Sequence, residues 1–370
     1  VIGEETIVQE DLSNLVDVGT AVFNANAVDR YVKALVDHIG KVIFVNRIYK
    51  GRAPSVLMDG WEYGAVLEKI SCKELPAAQE NESWELEDGT SYDPNVFTQP
   101  KVEAKFYQKR VTFEIPISIT DRQVKSAFSS VDQLNSFLSM ITVNVENSMT
   151  MKNDELIMRT INSFAADTVY AEYQGAALNT KSGVRAVNLL YLYKQAHTDA
   201  TTTASNWMYD TDFLRFAAME IFNITGRMSD MSTLFNIGGR TRFTPEDRLH
   251  VVMHSDFVNA ADYYLQSSTF HDRYTALQNH DTISKWQASG SSYGFADTSE
   301  IKVVTGSGNT VDVTGVIAVA FDRDALGVAN FNRRVTTDYN GKAEFTNYWH
   351  KADAGYFNDE NENFVVFFVA

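Results

Sequence analysis

The chain has 370 residues, of which 44% are hydrophobic and 22% charged, a balance typical of a globular protein with roughly two or three domains. Its formal net charge of −16 disfavours a surface that binds nucleic acid through clustered Lys and Arg side chains. Cys72 is the single cysteine, which excludes an internal disulfide, and Glu68 and Glu74 offset the positive neighbourhood that a reactive thiol needs.

The chain begins with an acidic stretch, residues 1–22, followed by a helical pattern over residues 28–45. This pattern predicts an arm that carries a helix. No basic-then-apolar signal segment opens the sequence, and no apolar run approaches the ~20 residues that span a bilayer. We therefore expect a protein made in a cytoplasm, without a membrane partner. Val1 fits removal of an initiator Met and equally fits cleavage of a longer leader.

Residues 47–119 predict a two-stranded extended excursion whose tip contains the acidic segment Glu80–Asp88. Its second strand, Lys101–Ile119, alternates apolar and polar residues, and the alternation changes parity between Gln108 and Arg110, which indicates a bulge or a bend. A single strand of this length spans roughly 60 Å, whereas ordinary strands cover about 17–20 Å. Much of it must therefore lie outside any single core. The two apolar sets are Val102, Ala104 and Phe106, then Val111, Phe113, Ile115, Ile117 and Ile119.

Two capping boxes follow this strand, Thr120 with Gln123 and Ser130 with Gln133. In such a box the hydroxyl caps the first helical turn and the amide returns to the backbone of the cap residue. After the second box, apolar residues recur at helical spacing over residues 131–165 without Gly or Pro. The pattern predicts a long helix, on the order of 50 Å at 1.5 Å per residue.

Residues 185–325 predict a mixed α/β domain that the C-terminal strand joins. The run 316–321 is continuously apolar, as expected for a strand buried on both faces. The other predicted elements are a helix at 212–228, a strand at 249–254, a helix capped by Ser255, strands at 300–305 and 310–313 around a turn at 306–309, and a closing strand at 363–370.

His250 and His254 form an H-x-x-x-H pattern that would bind zinc if it lay on a helix. The glutamate that a zinc protease uses as general base is missing between them. On a strand the two imidazoles share one face with Val252, which favours two partly buried histidines over a metal site.

Two further groups resemble binding sites only in part. Asp312, Asp322 and Asp324 are a possible carboxylate cluster for a metal, or caps for the turn that follows a buried strand. Gly238-Gly239-Arg240 with Arg242 resembles an anion-binding loop but lacks the spacing of a phosphate loop. A plain loop is the favoured interpretation.

Aromatic and apolar residues of the excursion are candidate contacts between subunits. Trp61 and Trp84 lie in a segment too poor in apolar residues to form its own core, so they either anchor against another subunit or pack locally. Val102, Phe106 and Phe113 complete the candidate set.

With arm, excursion, long helix and α/β domain in this order, the chain resembles the major capsid proteins of tailed double-stranded DNA phages, which share the Hong Kong 97-like fold. The passages that carry the resemblance are Ile117–Gln123 leading into Ser130–Phe164, Val316–Phe321 followed by Asp322–Gly327, and Tyr339–Tyr348 leading into the closing strand.

The resemblance implies an α+β capsid fold with an N-terminal arm (1–46) and an extended loop (47–119). It also implies a peripheral domain with a spine helix (120–184 and 326–354) and an axial domain (185–325 and 355–370). Members of this family form pentamers and hexamers of an icosahedral shell, usually with a scaffold, a portal and packaged DNA, and some bind decoration proteins. We expect neither enzymatic activity nor a cofactor. The lysine, asparagine and glutamate that cross-link some members have no matching positions here.

Two other functions are compatible with parts of the sequence. A nanocompartment shell uses the same fold to enclose a protein cargo, and the presence of nucleic acid in purified particles would distinguish the two. A metal-dependent hydrolase would use His250 and His254 with an acidic partner such as Asp256. A hydrolase function does not account for the extended excursion, however.

Overall fold

The computed structural model describes residues 48, 51–53, 56–58, 67–72, 87–91, 95, 97, 99, 101–120, 131–267, 279–287, 298–305 and 308–370. The predicted arm, the predicted helix start after Thr120, and both Trp61 and Trp84 lie outside these ranges.

The described chain contains four α-helices and thirteen strands. The helices are α1 (Val131–Tyr173), α2 (Leu189–Ala196), α3 (Thr211–Arg227) and α4 (Ser255–Ser267). The strands are β1 (Leu57–Met58), β2 (Leu67–Cys72), β3 (Val102–Tyr107), β4 (Arg110–Thr120), β5 (Ala186–Asn188), β6 (Leu249–His254), β7 (Asp281–Ile283), β8 (Ile301–Val304), β9 (Thr310–Val313), β10 (Val316–Asp322), β11 (Leu326–Asn340), β12 (Phe345–Asn358) and β13 (Phe364–Phe368).

The chain divides into two compact units. The first takes its described residues from Ile48, Thr112–Lys152 and Asn332–Asp353. The second comprises the described parts of Gly51–Val111, Asn153–Phe331 and Ala354–Ala370. The four-part domain division implied by the resemblance stays a prediction.

The core of the second unit is a three-layer arrangement around a five-stranded sheet in the order β5-β13-β10-β6-β7. On one face, α2, α3 and α4 contribute to a cluster that includes Leu190, Phe213 and Phe257. On the other face Phe164 of α1 stacks on Phe364 of β13 with 4.2 Å between ring centroids. Every residue of β10 is buried, so the prediction of a strand covered on both faces is confirmed.

The first unit is built from the N-terminal part of α1 and long strands of a four-stranded sheet in the order β1-β11-β12-β4. Ion pairs link its pieces: Arg334 contacts Asp353 at 2.6 Å, and Arg333 contacts Glu146 at 2.8 Å. Leu138 on α1 remains 42% exposed. Further along the helix, within the same unit, Val145 and Met149 are buried.

Local signals explain most of the element boundaries. The helix predicted over 131–165 is present and continues beyond the predicted end to Tyr173. Helix α3 begins after Asp210, whose carboxylate accepts hydrogen bonds from the backbone N–H groups of Asp212 and Phe213. Strands β8 and β9 pair antiparallel as predicted.

The predicted single strand over 101–119 is wrong in one respect. It is two strands, β3 and β4, interrupted at residues 108–109, where the alternation changes parity. The two strands belong to different sheets, because β3 pairs with β2 and β4 lies beside β12.

No helix among the residues that the structure describes has the length and apolarity needed to cross a membrane.

Candidate inter-subunit surface

Strands β2 and β3 form an antiparallel pair, called here the hairpin. Its register places Ile70 opposite Ala104, Cys72 opposite Val102, and Glu68 opposite Phe106. Because side chains alternate between the two faces of a strand, all of these residues lie on one face. We call this the outer face of the hairpin.

The outer face is exposed and, apart from Glu68, apolar. The exposed fractions are 64% for Ile70, 59% for Val102 and 60% for Phe106, and Cys72 is also exposed. Single exposed apolar residues are ordinary on protein surfaces, but contiguous groups of them mark interaction sites. The alternation predicted for β3 is therefore present, while its apolar side points away from the body of its own unit.

The opposite, inner face of the hairpin is polar and carries two lysines that bind buried acids. The Lys69 ammonium donates to Asp359 Oδ2 at 2.8 Å and to Glu362 Oε1 at 2.7 Å. The Lys105 ammonium donates to Asp359 Oδ1 at 2.9 Å. Both acids lie between β12 and β13 and are less than a tenth exposed. We call these four residues the ion cluster.

Two arginines from the loop after α3 extend the attachment. Arg240 contacts Glu103 of β3 at 2.8 Å, and Arg242 contacts Glu362 at 3.3 Å. Asn236 holds the first arginine's backbone, since its side chain donates to the Arg240 carbonyl and accepts from the Arg240 N–H. The loop that resembled an anion site thus uses these arginines to position the hairpin.

The base of the hairpin is fixed by aromatic and backbone contacts. Tyr107 lies against Phe357 with 5.2 Å between ring centroids. The Tyr356 N–H donates to the Lys109 carbonyl at 3.2 Å, and the Lys109 ammonium lies 6.0 Å from the centroid of the Tyr356 ring. These contacts lie at the interruption between β3 and β4. They therefore fix the direction of the chain at the point where it passes from β3, which pairs with β2, to β4, which lies beside β12.

Burial and charge perturb several groups near this base. Burial raises the pKa of the Asp359 carboxyl, but hydrogen bonds and charges from Lys69 and Lys105 outweigh burial and hold the pKa below its usual value. Burial, followed by the charge of Asp359, raises the pKa of the Tyr107 hydroxyl. Burial, assisted by the charge of Glu360, raises the pKa of Asp167 to about 6. Asp359 is therefore held ionised, while the pKa of about 6 lets Asp167 titrate just below neutral pH.

Of the predicted contact residues, Val102 and Phe106 lie together on the outer face of the hairpin. Phe113 is half-buried on β4, in the first unit, and Trp61 and Trp84 lie outside the described residues. The role of all five residues in subunit contacts stays a prediction.

The candidate metal residues have other partners. His254 is wholly buried and His250 stacks on Phe321 with 5.7 Å between ring centroids. Asp312 pairs with Lys302 at 2.7 Å, and Asp322 accepts from the Asp324 N–H at 2.9 Å, which is a turn cap. Within the ranges that the structure describes, no group of three His, Cys, Asp or Glu residues is arranged to hold a metal ion.

No sequence pattern predicts the ion cluster. Its lysines and acids are 254–293 residues apart in the chain, so no local pattern connects them. The available signal is the alternation of side chains along β3, which places Glu103, Lys105 and Tyr107 together on one side of the strand.

Comparison with solved structures identifies the fold. The chain is similar to the capsid structure of Staphylococcus phage Andhra, with a TM-score of 0.52 and 10% identity over 90% of this chain and 87% of the other. A structure of the head fiber and inner core protein gp22 of native bacteriophage P68 gives a TM-score of 0.56 and 9% identity over 90% and 88% of the two chains. For the capsid of the myovirus phage XM1 the TM-score is 0.50 and the identity 12%, over 91% and 98%.

The predicted α+β capsid fold is confirmed by these likenesses. Among curated protein sequences none matches the chain. A family model described as Phi29-like phage major capsid protein matches residues 2–368. The chain therefore belongs to the family of Phi29-like phage major capsid proteins.

Proposed function

We propose that this chain is the shell subunit of a phage head, and that its copies form pentamers and hexamers of an icosahedral shell around double-stranded DNA. Assembly takes place in the host cytoplasm. The net charge of −16 fits DNA that is confined inside the shell rather than bound along its length, because affinity for phosphates requires clustered cations.

One observation supports self-assembly most directly: the hairpin turns its polar face inward and its apolar face outward. In a protein that works as a monomer, the opposite orientation would bury the apolar residues. Here the ion cluster holds the hairpin in the orientation that leaves Ile70, Val102 and Phe106 exposed. A neighbouring copy that covers this outer face removes apolar surface from water without any change in the subunit's own core.

The size of this contact suits a closed shell. Complete burial of one large apolar side chain contributes about 1.5–3 kcal/mol, and the three residues are each already about 40% covered. Burying what remains gives a few kcal/mol per hairpin, on the order of 3–5. Such a contact is weak alone, but closed symmetry repeats it in every subunit, so the shell is durable as a whole.

The proposal includes partners that the family implies: a scaffold, a portal at one vertex and, in some shells, decoration proteins. It requires no catalytic step and no cofactor. No described contact favours a protein cargo or a hydrolytic site over this function.

The test is particle formation by outer-face variants. Val102→Glu and Phe106→Glu place charges on the outer face without touching the ion cluster, so we expect folded subunits and at least a tenfold loss of closed particles. Electron microscopy of the chain expressed alone and with its neighbouring genes measures the yield. The matched control is Glu68→Gln, directly opposite Phe106, which keeps the apolar surface.

Normal particle yield from both glutamate variants would refute the role of the outer face. Absence of particles from the natural sequence under every co-expression condition would refute the function itself. Nucleic acid extracted from purified particles is the expected content, whereas shells that carry only protein would support a cargo compartment.

A further inference from the structure

A cleft in the second unit has a charge opposite to that of the whole chain. It has a volume of about 550 Å³. One wall is the face of α1 that carries Glu155, Arg159 and Asn162, and the other wall includes Lys285 and Lys302. Arg52 also lines it. Four cations and one acid therefore face this space, although the chain has 32 Lys and Arg against 48 Asp and Glu.

Two of the four cations are already used within the subunit. Arg52 donates from its backbone N–H and its Nε to Asp154 at 2.8 and 2.7 Å, and its Nη1 donates to the Lys285 carbonyl at 3.0 Å. Lys302 pairs with Asp312 at 2.7 Å. Arg159 and the Lys285 ammonium have no ion pair among the residues that the structure describes. The cleft thus has an excess of positive charge that these internal contacts do not neutralise.

Asn162, which lines the cleft, has a buried acceptor without a donor in the described part of the chain. Asn162 is 2% exposed, and its Nδ2 donates to the Trp286 carbonyl at 3.2 Å. This contact fixes the orientation of the amide, because the flipped form would place two oxygens against each other. Asn162 Oδ1 has no hydrogen-bond partner among the described residues. A buried acceptor without a partner is unfavourable, so an occupant that donates to it is favoured.

The walls of the cleft are well supported. The Trp286 N–H donates to the Thr298 carbonyl at 2.9 Å, and the Trp286 indole Nε1 donates to the Val316 carbonyl at 2.9 Å. Gln287 Oε1 accepts from the Lys302 N–H at 2.6 Å. At the rim, Val304 is 65% exposed. The cleft is therefore a fixed site with a cationic interior and an apolar edge.

These features specify the chemistry of the occupant: carboxylates for the cations, N–H groups for Asn162 Oδ1, and an apolar side chain for Val304. An acidic peptide supplies all three from its side chains and backbone N–H groups, whereas the phosphates of nucleic acid supply only acceptors and its N–H donors lie on the bases. The chain itself contains such a segment. Residues 80–88 include Glu80, Glu82, Glu85, Glu87 and Asp88 beside Trp84 and Leu86, and residues 74–100 contain no Lys or Arg.

We propose that the cleft binds the acidic segment Glu80–Asp88 of a second copy of this chain. The proposal rests on the shell function proposed above, which brings copies together, and it adds a specific electrostatic contact to the apolar contact of the hairpin. The described end of the segment is available for binding, because Glu87 and Asp88 are both exposed in the subunit. Since the connection between β2 and β3 includes this segment, one excursion supplies both contacts.

The first experiment measures binding directly. A fluorescent peptide of residues 78–90 is titrated against the full chain and against the double variant Arg159→Glu, Lys285→Glu. We expect at least tenfold weaker binding by the variant, and weaker binding by the natural chain as salt is raised. The matched control reverses two exposed cations elsewhere, Lys194→Glu and Arg215→Glu, and should bind the peptide within twofold of the natural chain. A peptide with Gln at its five acidic positions should bind as weakly as the cleft variant.

The second experiment tests the contact in particles. Reversal of the cleft, or of the segment by Glu82→Lys and Glu85→Lys, should each lower particle yield at least fivefold, and the combined variant should recover most of it. Equal peptide affinity for the natural and cleft-reversed chains would overturn the inference, as would displacement of the peptide by a DNA oligonucleotide at a lower concentration. Full particle yield from the cleft-reversed chain would also overturn it and leave the shell function intact. Failure of the natural chain to form particles would instead refute the shell function, and the peptide titration would still decide whether the cleft binds the segment.

Discussion

Replacing Lys69 by Met tests whether the ion cluster fixes the hairpin. The Lys69 ammonium contacts Asp359 at 2.8 Å and Glu362 at 2.7 Å. Removing one partner of a fully buried ion pair costs about 3–5 kcal/mol. Here the Lys69 side chain is 20% exposed, and each acid keeps a second cation, Lys105 or Arg242. We therefore expect Lys69→Met to lower the free energy of unfolding by about 2–3 kcal/mol at pH 7.

The pH dependence of this loss identifies its origin. In the natural chain the pKa of Asp359 is held below its usual value, so its contribution is present at neutral pH and is lost only as pH falls through the folded-state pKa. Without Lys69, burial is less well offset and the pKa of Asp359 rises. Protonation then removes the unpaired charge, and the deficit of the variant should shrink as the pH is lowered towards 4.

The assay is urea unfolding of the full chain at low protein concentration, followed by tryptophan fluorescence, to which the buried Trp207 and Trp286 contribute. The control makes the same substitution in an exposed pair: Lys302 and Asp312 have side chains 57% and 42% exposed, and pairs of this kind contribute little to stability because water screens them. The reasoning would be refuted if Lys69→Met and Lys302→Met lowered the free energy of unfolding equally. It would also be refuted if the effect of Lys69→Met on that free energy were the same at pH 7 and pH 4. Either result would show that the ion cluster is not a buried charge network.

Three further substitutions, the last with a control, test separate parts of the second unit by the same unfolding assay. Asp167→Asn should stabilise the chain by about 1–2 kcal/mol at pH 7.5 and have little effect at pH 4, because a carboxyl whose pKa is raised to about 6 opposes folding only once it ionises; an equal effect at both pH values would contradict this. Burial lowers the pKa of His254, partly offset by Asp256, so stability should fall as the pH drops below about 6.5; an unchanged slope between pH 7 and 5 in His254→Gln would exclude this histidine as the cause. Phe364→Ala should cost about 3–5 kcal/mol, since its ring stacks between Phe164 and Phe321, whereas Phe222→Ala, at an exposed position, should cost less than 1 kcal/mol.

The sequence predicts those elements whose signals are local. The continuous apolar run of β10 indicates burial on both faces, and uninterrupted helical spacing after Ser130 indicates α1. The interruption at residues 108–109 is visible in the sequence, because the apolar residues occupy even-numbered positions before it and odd-numbered positions after it. In each case the residues that determine the structure are adjacent in the chain or one helical turn apart.

The candidate surface could be predicted only in part, because alternation identifies the two faces of a strand but not which face points inward. The usual assumption places the apolar face in the core. For β3 that assumption fails, since Asp359 and Glu362 supply a buried charged partner far along the chain. The cleft could not be predicted from local sequence patterns either, because Arg159 and Lys285 are far apart in the chain and come together only in the tertiary fold.

The register of the hairpin shows why its orientation depends on the body of the second unit. Lys69 lies directly opposite Lys105, and like charges in this position destabilise an isolated strand pair. Asp359 lies within 2.9 Å of both ammonium groups, so the acid converts a repulsive pair into a bridged one. The hairpin is therefore stable mainly when it is docked on this acid, and docking fixes the apolar residues outward. A buried ion pair often adds little net stability compared with apolar packing. Here the main effect of the ion cluster is on the orientation of the hairpin. If the inner face were apolar as well, the two faces would not differ, and nothing would hold outward the apolar surface that we propose a second copy covers.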